Sequence, residues 1–297
     1  MNLFTDEYER IAIDRIQRFA RVAEMMGEEI HLGFSGGKDS QVVYDLCVRS
    51  GIPFRAFYNV SFESPTTKAF IREYYPEVIW RRSCKYGYIE NIIKKHHGLL
   101  PTVQISYCCE DYKHPVGLLD RCSITGVRKA ESRARSTRTT FSYRNKSVKK
   151  TFPGINDYFL ESCQSVGSKS VISLLPIVDW SDREVWDYIN RHGLPVNPEY
   201  KLNNRVGCIV CPKANFTRNF VYLMRYPKLV DAFISAQERF PSKSWLIHSD
   251  GVDYKDDKPY YICRWLNRSF LPFTKSQQVL YDKWREKYNQ IKNDKNK

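Results

Sequence analysis

The stretch HLGFSGGKDSQVVYDL, residues 31–46, places two glycines, a lysine and two serines between an apolar run and an amphipathic one. The apolar run is typical of a buried strand, and the residues after the loop have the spacing of an amphipathic helix. In an open α/β sheet, ligands bind outside the carboxyl ends of the strands, which is where such a loop lies. The stretch therefore predicts a strand, an anion-binding loop and a helix, in that order.

The residue types of this loop explain why an anion is expected. Ser35, Gly36 and Gly37 would let backbone N–H groups close around phosphate oxygens, and the helix N-terminus adds partial positive charge. Lys38 adds a full positive charge. The loop is not a Walker A motif, which has four residues between its first glycine and its Gly-Lys pair, so ordinary kinase or GTPase chemistry is disfavoured. Without the flanking strand and helix, Ser-Gly-Gly would indicate only a turn.

Strand and helix patterns alternate beyond this loop. Strands are predicted over 29–34, 53–60, 76–80, 122–127 and 170–178, and helices over 5–27, 64–75, 88–98 and 181–193. Such alternation implies an α/β fold with a mostly parallel sheet. The strand signal fades after residue 215, and helix-like aromatic and basic segments follow it. We therefore predict a nucleotide-binding domain over 1–215 and a helical C-terminal extension over 216–297.

Composition restricts the class of protein. The chain has 297 residues, 42% of them hydrophobic, and a formal net charge of +14, which favours anionic partners such as nucleotides or nucleic acid. No apolar stretch reaches the roughly 18 residues needed to span a bilayer, and the first residues are charged throughout, so a cytoplasmic protein is expected. Nine cysteines in such a chain favour thiols or metal ligands over disulfides.

Five ordered segments carry a family resemblance. They are SGGKDS (35–40), SYCCEDYKHP (106–115), GVRKAESRAR (126–135), LLPIVDWSDREVWDYINRHGLPVNPEY (174–200) and GCIVCP (207–212). Together they resemble the phosphoadenosine phosphosulfate (PAPS) reductase branch of the PP-loop adenine nucleotide α-hydrolase superfamily. The resemblance covers roughly residues 30–212. It implies a Rossmann-like sheet with helices on both faces and an adenylyl nucleotide as ligand.

The resemblance also implies which residues form the site. Lys38 and Arg128 would stabilise charge on the transferring group, and Asp39 would help to place Mg²⁺ with ATP. Arginine suits the forked recognition of phosphate or sulfate. The residues implied to bind nucleotide are Ser35, Gly36, Gly37, Lys38, Asp39, Ser40, Asn59, Gly126, Arg128, Glu131 and Arg135.

Two cysteine pairs indicate a metal group. Cys208 and Cys211 have metal-ligand spacing, and Cys108 and Cys109 offer a second pair. Four thiolates suit zinc or an iron–sulfur cluster, and four buried structural thiols are the remaining interpretation. Adjacent cysteines usually point apart, which is easier to accommodate around a cubane than around one ion. The resemblance implies a 4Fe–4S cluster at these four positions. The other cysteines before the C-terminal region, Cys47, Cys84, Cys122 and Cys163, are expected to be core thiols.

Two features depart from the family pattern. Sulfonucleotide reductases carry a nucleophilic cysteine near the C-terminus in a Glu-Cys-Gly setting, whereas this chain has only Cys263 after Cys211. The aromatic neighbours of Cys263 predict burial, so a covalent sulfo-enzyme intermediate is not expected in cis. In addition, Asn59 and Ser61 stand where the family usually has Asp-Thr-Gly, which indicates an altered substrate. Residues 136–169 fit no motif and are predicted to form an insertion or a mobile loop over the site.

Three functions are compatible with these observations. The leading one is an iron–sulfur PP-loop enzyme that cleaves ATP between the α and β phosphates to activate a substrate for sulfur transfer, similar to the ATP-hydrolysing subunit of DNA phosphorothioation systems. The alternatives are a reductase that releases sulfite from adenylyl sulfate or PAPS, and a non-catalytic nucleotide-binding regulator. An adenine nucleotide is the expected partner, and nucleic acid or a sulfur-donor protein are further candidates; no membrane partner is expected.

Overall fold

The computed structural model describes residues 3–113, 121–145, 151–153, 170–240, 257–268 and 271–294. The chain divides into two compact units. Unit 1 consists of Met1–Val60, Pro65–Ser83 and Lys113–Gly207, and unit 2 consists of Ser61–Ser64, Cys84–Tyr112 and Cys208–Lys297. Unit 2 thus contains the 216–297 region together with two earlier segments of the chain. The division of the chain into domains 1–215 and 216–297 stays a prediction.

Unit 1 is built on one sheet. Its strands are β1 (Ile30–Phe34), β2 (Arg55–Asn59), β3 (Ile79–Arg81), β4 (Cys122–Thr125), β5 (Phe141–Asn145), β6 (Thr151–Pro153) and β7 (Ser170–Leu174). The strand order is β3-β2-β1-β4-β7-β5-β6. The first five of these pair in parallel, while β5 is antiparallel to both β7 and β6. The predicted α/β fold with a mostly parallel sheet is confirmed.

The order of the five parallel strands decides where a ligand would bind. Numbered along the chain, they follow the order 3-2-1-4-5 of a doubly wound fold. The direction of winding changes between β1 and β4, which pair through Leu32 and Ile124. In such folds the ligand crevice lies outside the carboxyl ends of the strands at this change of direction. The glycine loop follows β1 and Gly126 follows β4, so both reach this edge of the sheet.

Helices of unit 1 cover the apolar strands. They are α1 (Leu3–Met25), α2 (Lys38–Arg49), α3 (Pro65–Tyr74) and, as the sixth helix along the chain, α6 (Asp182–Arg191). Helix α2 buries Val42, Val43 and Leu46 in the same core as Leu32 and Phe34 of β1. The apolar side chains of strand β1 and of helix α2 therefore pack in one hydrophobic core. This agrees with the buried strand and the amphipathic helix that the sequence predicts.

The expectation of a loop over residues 136–169 is wrong in part. Phe141–Asn145 is a strand that pairs with β7, and Thr151–Pro153 continues the sheet, whereas an insertion at these positions stays a prediction. Phe141 is buried and its ring lies 6.4 Å from that of Phe19. Phe141, at the start of the strand, packs in the hydrophobic core of unit 1. Residues 146–150 and 154–169, including Cys163, lie outside the described residues.

Unit 2 is helical. Its described helices are α4 (Tyr88–Lys94), α5 (Tyr107–Tyr112), α7 (Phe216–Arg225), α8 (Leu229–Glu238), α9 (Lys258–Trp265) and α10 (Lys275–Asp294). They surround an aromatic core that includes Phe233, Trp265 and Trp284, and Trp265 Nε1 donates to the carbonyl of Pro101 at 2.6 Å. The predicted helical C-terminal part is confirmed. None of the helices within the described ranges is long and apolar enough to cross a membrane.

The central strand should be sensitive to loss of side-chain volume. Leu32 is fully buried in the sheet, and we expect Leu32→Ala to lower the free energy of unfolding by about 2–5 kcal/mol because it leaves a cavity. Val48 of α2 is exposed, so Val48→Ala should change it by no more than about 0.5 kcal/mol. Urea unfolding followed by far-UV circular dichroism measures both, and equal effects of the two variants would contradict this core.

Candidate functional site

The glycine loop has a conformation that requires glycine. Gly36 has φ +70°, and a Cβ atom there would lie 3.0 Å from the side chain of Ile71. Its carbonyl accepts hydrogen bonds from the side-chain amides of Asn197, at 2.9 Å, and of Gln41, at 3.3 Å. A left-handed backbone strongly favours glycine because it has no Cβ. The loop is thus shaped by its own sequence and held by two buried amides.

The loop presents the N-terminus of α2. Gly37 caps the helix without a side chain, and Ser40 Oγ donates to the Gly37 carbonyl at 2.8 Å. The backbone N–H of Lys38 donates to the hydroxyl of Tyr200 at 2.8 Å, and burial raises the pKa of that hydroxyl, so it stays neutral. The first N–H groups of a helix have no acceptor within the helix and favour an anion. A phosphate oxygen here would meet these groups and the Tyr200 hydroxyl.

Two cations and two carboxylates surround the start of α2. Lys38 Nζ donates to both carboxylate oxygens of Asp39 at 3.3 Å and to Asp182 at 3.0 Å. Arg128 donates through Nε to Asp39 at 2.6 Å, through Nη1 to the Trp180 carbonyl at 3.0 Å, and through Nη2 to Asp182. The side chains of Lys38 and Arg128 therefore share the same two acids. We call Lys38, Asp39, Arg128 and Asp182 the charge cluster.

Burial differs sharply within the charge cluster. The Arg128 side chain is 1% exposed, whereas that of Asp182 is 72% exposed. Burial opposes the charged form of Arg128, but Asp39 and Asp182 outweigh it and raise its pKa. Partial burial likewise opposes ionisation of Asp182, yet hydrogen bonds from Arg128 and Lys38 leave its pKa below the usual value. Asp182 is thus an ionised, accessible carboxylate, and Arg128 is the buried cation that holds it. That Arg128 stabilises charge on a transferring group stays a prediction.

The segment after β4 completes this part of the site. A Cβ atom at Gly126 would lie 2.8 Å from the backbone carbonyl carbon and oxygen of Asp39, so only glycine lets the two segments approach so closely. Glu131 accepts from the backbone N–H of Arg128 at 3.0 Å and forms ion pairs with Arg135 and Arg205. The structure thus connects Gly126, Arg128, Glu131 and Arg135 with the start of α2.

Asn59 occupies the carboxyl end of β2. Its side-chain Nδ2 donates to the carbonyl of Lys113 at 3.1 Å. Its Oδ1 is buried and has no hydrogen-bond partner among the described residues. A buried amide oxygen without a donor is costly, so this position can accept a hydrogen bond from a ligand. The role of Asn59 in nucleotide binding stays a prediction.

The four candidate metal ligands all belong to unit 2. Cys108 and Cys109 lie on α5, and Cys208 and Cys211 lie in the loop before α7. A hydrogen bond with Cys109, burial and the nearby Cys208 together raise the pKa of the Cys108 thiol. Burial, followed by the charges of Cys108, Cys208 and Cys211, raises the pKa of the Tyr88 hydroxyl. Cysteines of both pairs therefore have Tyr88 as a common neighbour.

The four thiols are not arranged to hold a single metal ion. In the described parts of the chain, no group of three or more histidine, cysteine, aspartate or glutamate side chains is placed to hold a metal ion. No disulfide joins the described cysteines. The metal-ligand role of the two cysteine pairs stays a prediction that rests on the donor chemistry and on their common neighbour, Tyr88.

The remaining described cysteines differ in burial. Cys47 and Cys122 are fully buried, as expected of core thiols, while Cys84 is half-buried and donates to the side-chain oxygen of Asn91 at 3.4 Å. Cys263 lies fully buried on α9, and burial raises the pKa of its thiol well above the usual value. A buried, protonated thiol is a poor nucleophile. The predicted burial of Cys263 is confirmed.

Three site residues were missed in the sequence: Asp182, Asn197 and Tyr200. All three lie within the stretch 174–200, but none was singled out there. Helix α6 begins with a capping box, in which the backbone N–H of Glu184 donates to Ser181 Oγ at 3.3 Å. An acidic residue in the first turn of a helix is common, because it complements the helix dipole. Asp182 therefore did not stand out in the sequence as a site residue.

Comparison with known proteins agrees with this geometry. Residues 108–214 match the family model described as the phosphoadenosine phosphosulfate reductase domain. Residues 108–214 are thus similar to a PAPS reductase domain. This match agrees with the resemblance found in the sequence.

Two curated relatives of the chain come from Methanocaldococcus jannaschii. The uncharacterized protein MJ0066 is 25% identical over 80% of this chain and 47% of its own length. The uncharacterized protein MJ0973 is 24% identical over 79% of this chain and 54% of its own length. The chain thus spans about half the length of the curated relatives it matches.

Two solved structures are distantly similar to the chain. The phosphoadenylyl-sulfate reductase from Candida auris, in a phosphate complex, is 16% identical, with a TM-score of 0.44 over 68% of this chain and 92% of that one. The NMN synthetase from Francisella tularensis is 14% identical, with a TM-score of 0.36 over 84% of this chain and 99% of that one. Similarities at this level add nothing to the argument from the site itself.

The contact between Gly126 and α2 can be tested directly. Gly126→Ala would place a methyl group against the Asp39 backbone and displace the start of α2, so we expect ATP affinity to fall by about tenfold or more, given that overpacking costs about 1–3 kcal/mol. Gly87→Ala is the control, because a Cβ atom there meets nothing within 4 Å. Fluorescence anisotropy with a labelled ATP analogue measures both. Equal affinity in the two variants would show that this contact does not shape the site.

Proposed function

We propose that the chain binds ATP at the glycine loop and cleaves it between the α and β phosphates, activating a substrate for sulfur transfer. The observation that carries this proposal is the charge cluster, which puts two carboxylates and a lysine at the N-terminus of α2. The domain match supports an adenine nucleotide or a sulfonucleotide as the ligand and an enzyme of the PP-loop type.

The loop is suited to hold the leaving pyrophosphate. The Lys38 ammonium is 3.3 Å from Asp39 and 3.0 Å from Asp182, so it can move to a phosphate oxygen without losing all of its partners. The N–H groups at the start of α2 add donors and a partial positive charge. With pyrophosphate held in the loop, these groups would stabilise the negative charge that grows on the β phosphate as the bond breaks.

The two carboxylates of the charge cluster are suited to a magnesium ion carried by ATP. Mg²⁺ is commonly bound through one or two carboxylates together with substrate phosphates, and Asp39 and Asp182 supply two. When bound, the ion would neutralise phosphate charge and orient the reacting groups. Arg128 would fix both carboxylates from the buried side, because its guanidinium contacts each of them.

The proposed chemistry is an adenylyl transfer. An oxygen nucleophile of the substrate attacks the α phosphorus, the bond from that phosphorus to the bridging oxygen breaks, and pyrophosphate leaves with the electron pair. The nucleophile gives up its proton to solvent, and the product is an adenylylated substrate. With water as the nucleophile, the products are AMP and pyrophosphate.

The two cysteine pairs would hold a 4Fe–4S cluster. The donor set fits this group, since four thiols in two pairs lie in one unit and Cys108 is close to both Cys109 and Cys208. Such a cluster would serve sulfur delivery or structure. A single zinc ion is not the metal proposed here, because no three of the described thiols are placed to hold one ion.

A reductase is the second candidate, because the matched family carries that name. The burial of Cys263 speaks against it as an attacking thiolate, so this activity would need an external thiol. A non-catalytic nucleotide-binding regulator is the third. Nucleic acid and a sulfur-donor protein remain proposed partners on the basis of the +14 net charge and of the resemblance.

Product analysis separates the three functions. Anaerobically purified protein is incubated with ATP and Mg²⁺, and separately with adenylyl sulfate, and pyrophosphate and sulfite are measured. We expect AMP and pyrophosphate from ATP. Sulfite from adenylyl sulfate without pyrophosphate from ATP would establish the reductase, and binding without either product would establish the regulator.

A pair of α6 variants tests the charge cluster in the same assay. Asp182→Asn removes one of the two carboxylates proposed to hold Mg²⁺ and should lower the rate of pyrophosphate release by about 100-fold, because the ion would neutralise charge on the phosphates. Asp187→Asn is the control, because Asp187 lies on the same helix and its ion pair within the described ranges is with exposed Arg183, at 3.6 Å. Equal rates in the two variants would remove Asp182 from the mechanism.

A further inference from the structure

The loop that carries the second cysteine pair is held by a buried amide. Asn219 of α7 is fully buried, and its Oδ1 accepts from the backbone N–H of Cys211 at 3.0 Å. Its Nδ2 donates to the carbonyl of Cys211 at 2.9 Å and to the carbonyl of Leu266 at 3.1 Å. One side chain therefore engages both backbone polar groups of Cys211 and ties them to the end of α9.

The hydrogen bonds from Asn219 restrict the backbone conformation of Cys211 as well as the position of the loop. The N–H and C=O of one residue belong to the two peptide groups on either side of its Cα, so holding both restricts φ and ψ of Cys211 together. Those two angles set the direction in which the Cβ and the thiol leave the backbone. Removing Asn219 would leave the Cys211 N–H and the Leu266 carbonyl without this partner, while the Cys211 carbonyl would keep the hydrogen bond from the backbone N–H of Ala214 at 2.9 Å.

The preceding residue holds the other cysteine of the pair. Arg218 donates through Nη2 to the carbonyl of Cys208 at 3.0 Å. Its Nε is buried without a hydrogen-bond partner among the described residues, and its guanidinium carbon lies 5.9 Å from the centre of the Tyr222 ring. Neighbouring residues of one helix thus hold both cysteines of the loop.

Asn267 illustrates an asparagine whose hydrogen bonds serve only the structure of a loop. Asn267 is another buried asparagine of unit 2, and its Nδ2 donates to the carbonyls of Leu271 and Pro272 at 2.7 and 3.1 Å. It satisfies the backbone of a loop without a cysteine. Asn219 and Asn267 are therefore matched in residue type and burial and differ in what they hold.

We propose that Asn219 is the positioning residue of the Cys208–Cys211 pair, fixing the direction of the Cys211 thiol for the metal group. This inference rests on the proposed iron–sulfur group for its purpose, but the contact with Cys211 does not. Residues around a metal site that orient its ligands commonly affect metal affinity by about 10–100-fold, and we expect an effect of that size here.

The test compares Asn219→Ala with Asn267→Ala in anaerobically purified full-length protein. Iron, sulfide and zinc are measured per chain, and the rate of iron loss to a chelator is followed by visible absorbance. We expect about four irons in the original protein, as a cubane on four thiolates requires. Asn219→Ala should hold less than half of that iron and lose the rest about tenfold faster. Asn267→Ala should match the original protein. Retention of iron and of its release rate in Asn219→Ala would overturn the proposal.

A second measurement does not depend on iron. In metal-free protein, alkylation of Cys211 by iodoacetamide, followed by peptide mass spectrometry, should be several-fold faster in Asn219→Ala, while buried Cys47 stays unmodified. An unchanged Cys211 rate would overturn the positioning role. Absence of iron in the original protein, with a faster Cys211 rate in the variant, would reject the cluster and keep the positioning residue. If Asn219→Ala does not fold, Asn219→Asp, which keeps the acceptor for the Cys211 N–H and loses both donors, takes its place.

Discussion

The buried guanidinium of Arg128 is the interaction on which the site depends. It comes from the segment after β4, and it binds a carboxylate at the start of α2 and another at the start of α6. A buried cation that loses its partners typically costs about 3–5 kcal/mol, so the two helix starts cannot move away from it freely. Lys38 Nζ donates to the same two carboxylates. The edge of the sheet where the winding changes direction is thereby held as one polar assembly.

Two loops in this chain are fixed in the same physical way. In unit 1, the buried amide of Asn197 holds the carbonyl of Gly36, and in unit 2 the buried amide of Asn219 holds both backbone groups of Cys211. The backbone N–H and C=O groups of a loop have no partners from a helix or a strand ladder. A buried asparagine can supply both a donor and an acceptor for them. Both asparagines lie outside the motif residues that would bind the ligand. They determine the geometry of a loop whose chemistry is carried by other residues.

The features that could be predicted from the sequence are local ones. The strand, glycine loop and helix of residues 30–49 could be predicted because an apolar run, two glycines and a helical spacing are neighbours in the chain. The cysteine pairs were visible for the same reason. Asp182, Asn197 and Tyr200 could not be assigned, because their partners Lys38 and Gly36 lie 144 to 162 positions away. Strand β5 was missed because a short segment rich in serine, threonine and arginine resembles a loop until Phe141 is seen in the core.

The central claim is that the glycine loop binds a nucleotide by its phosphates, and a series of adenosine, AMP, ADP and ATP measures this most directly. Binding to the original protein and to Gly37→Val is compared by isothermal titration calorimetry, with circular dichroism as the check on folding. A Cβ at Gly37 would already lie 3.4 Å from Ser35 Oγ and from the Tyr200 hydroxyl, so the larger valine side chain intrudes on the space of a phosphate. The account predicts that affinity rises with each added phosphate and that Gly37→Val loses this rise while keeping a native spectrum. Equal affinity for adenosine and ATP, or an unchanged series in Gly37→Val, would contradict it.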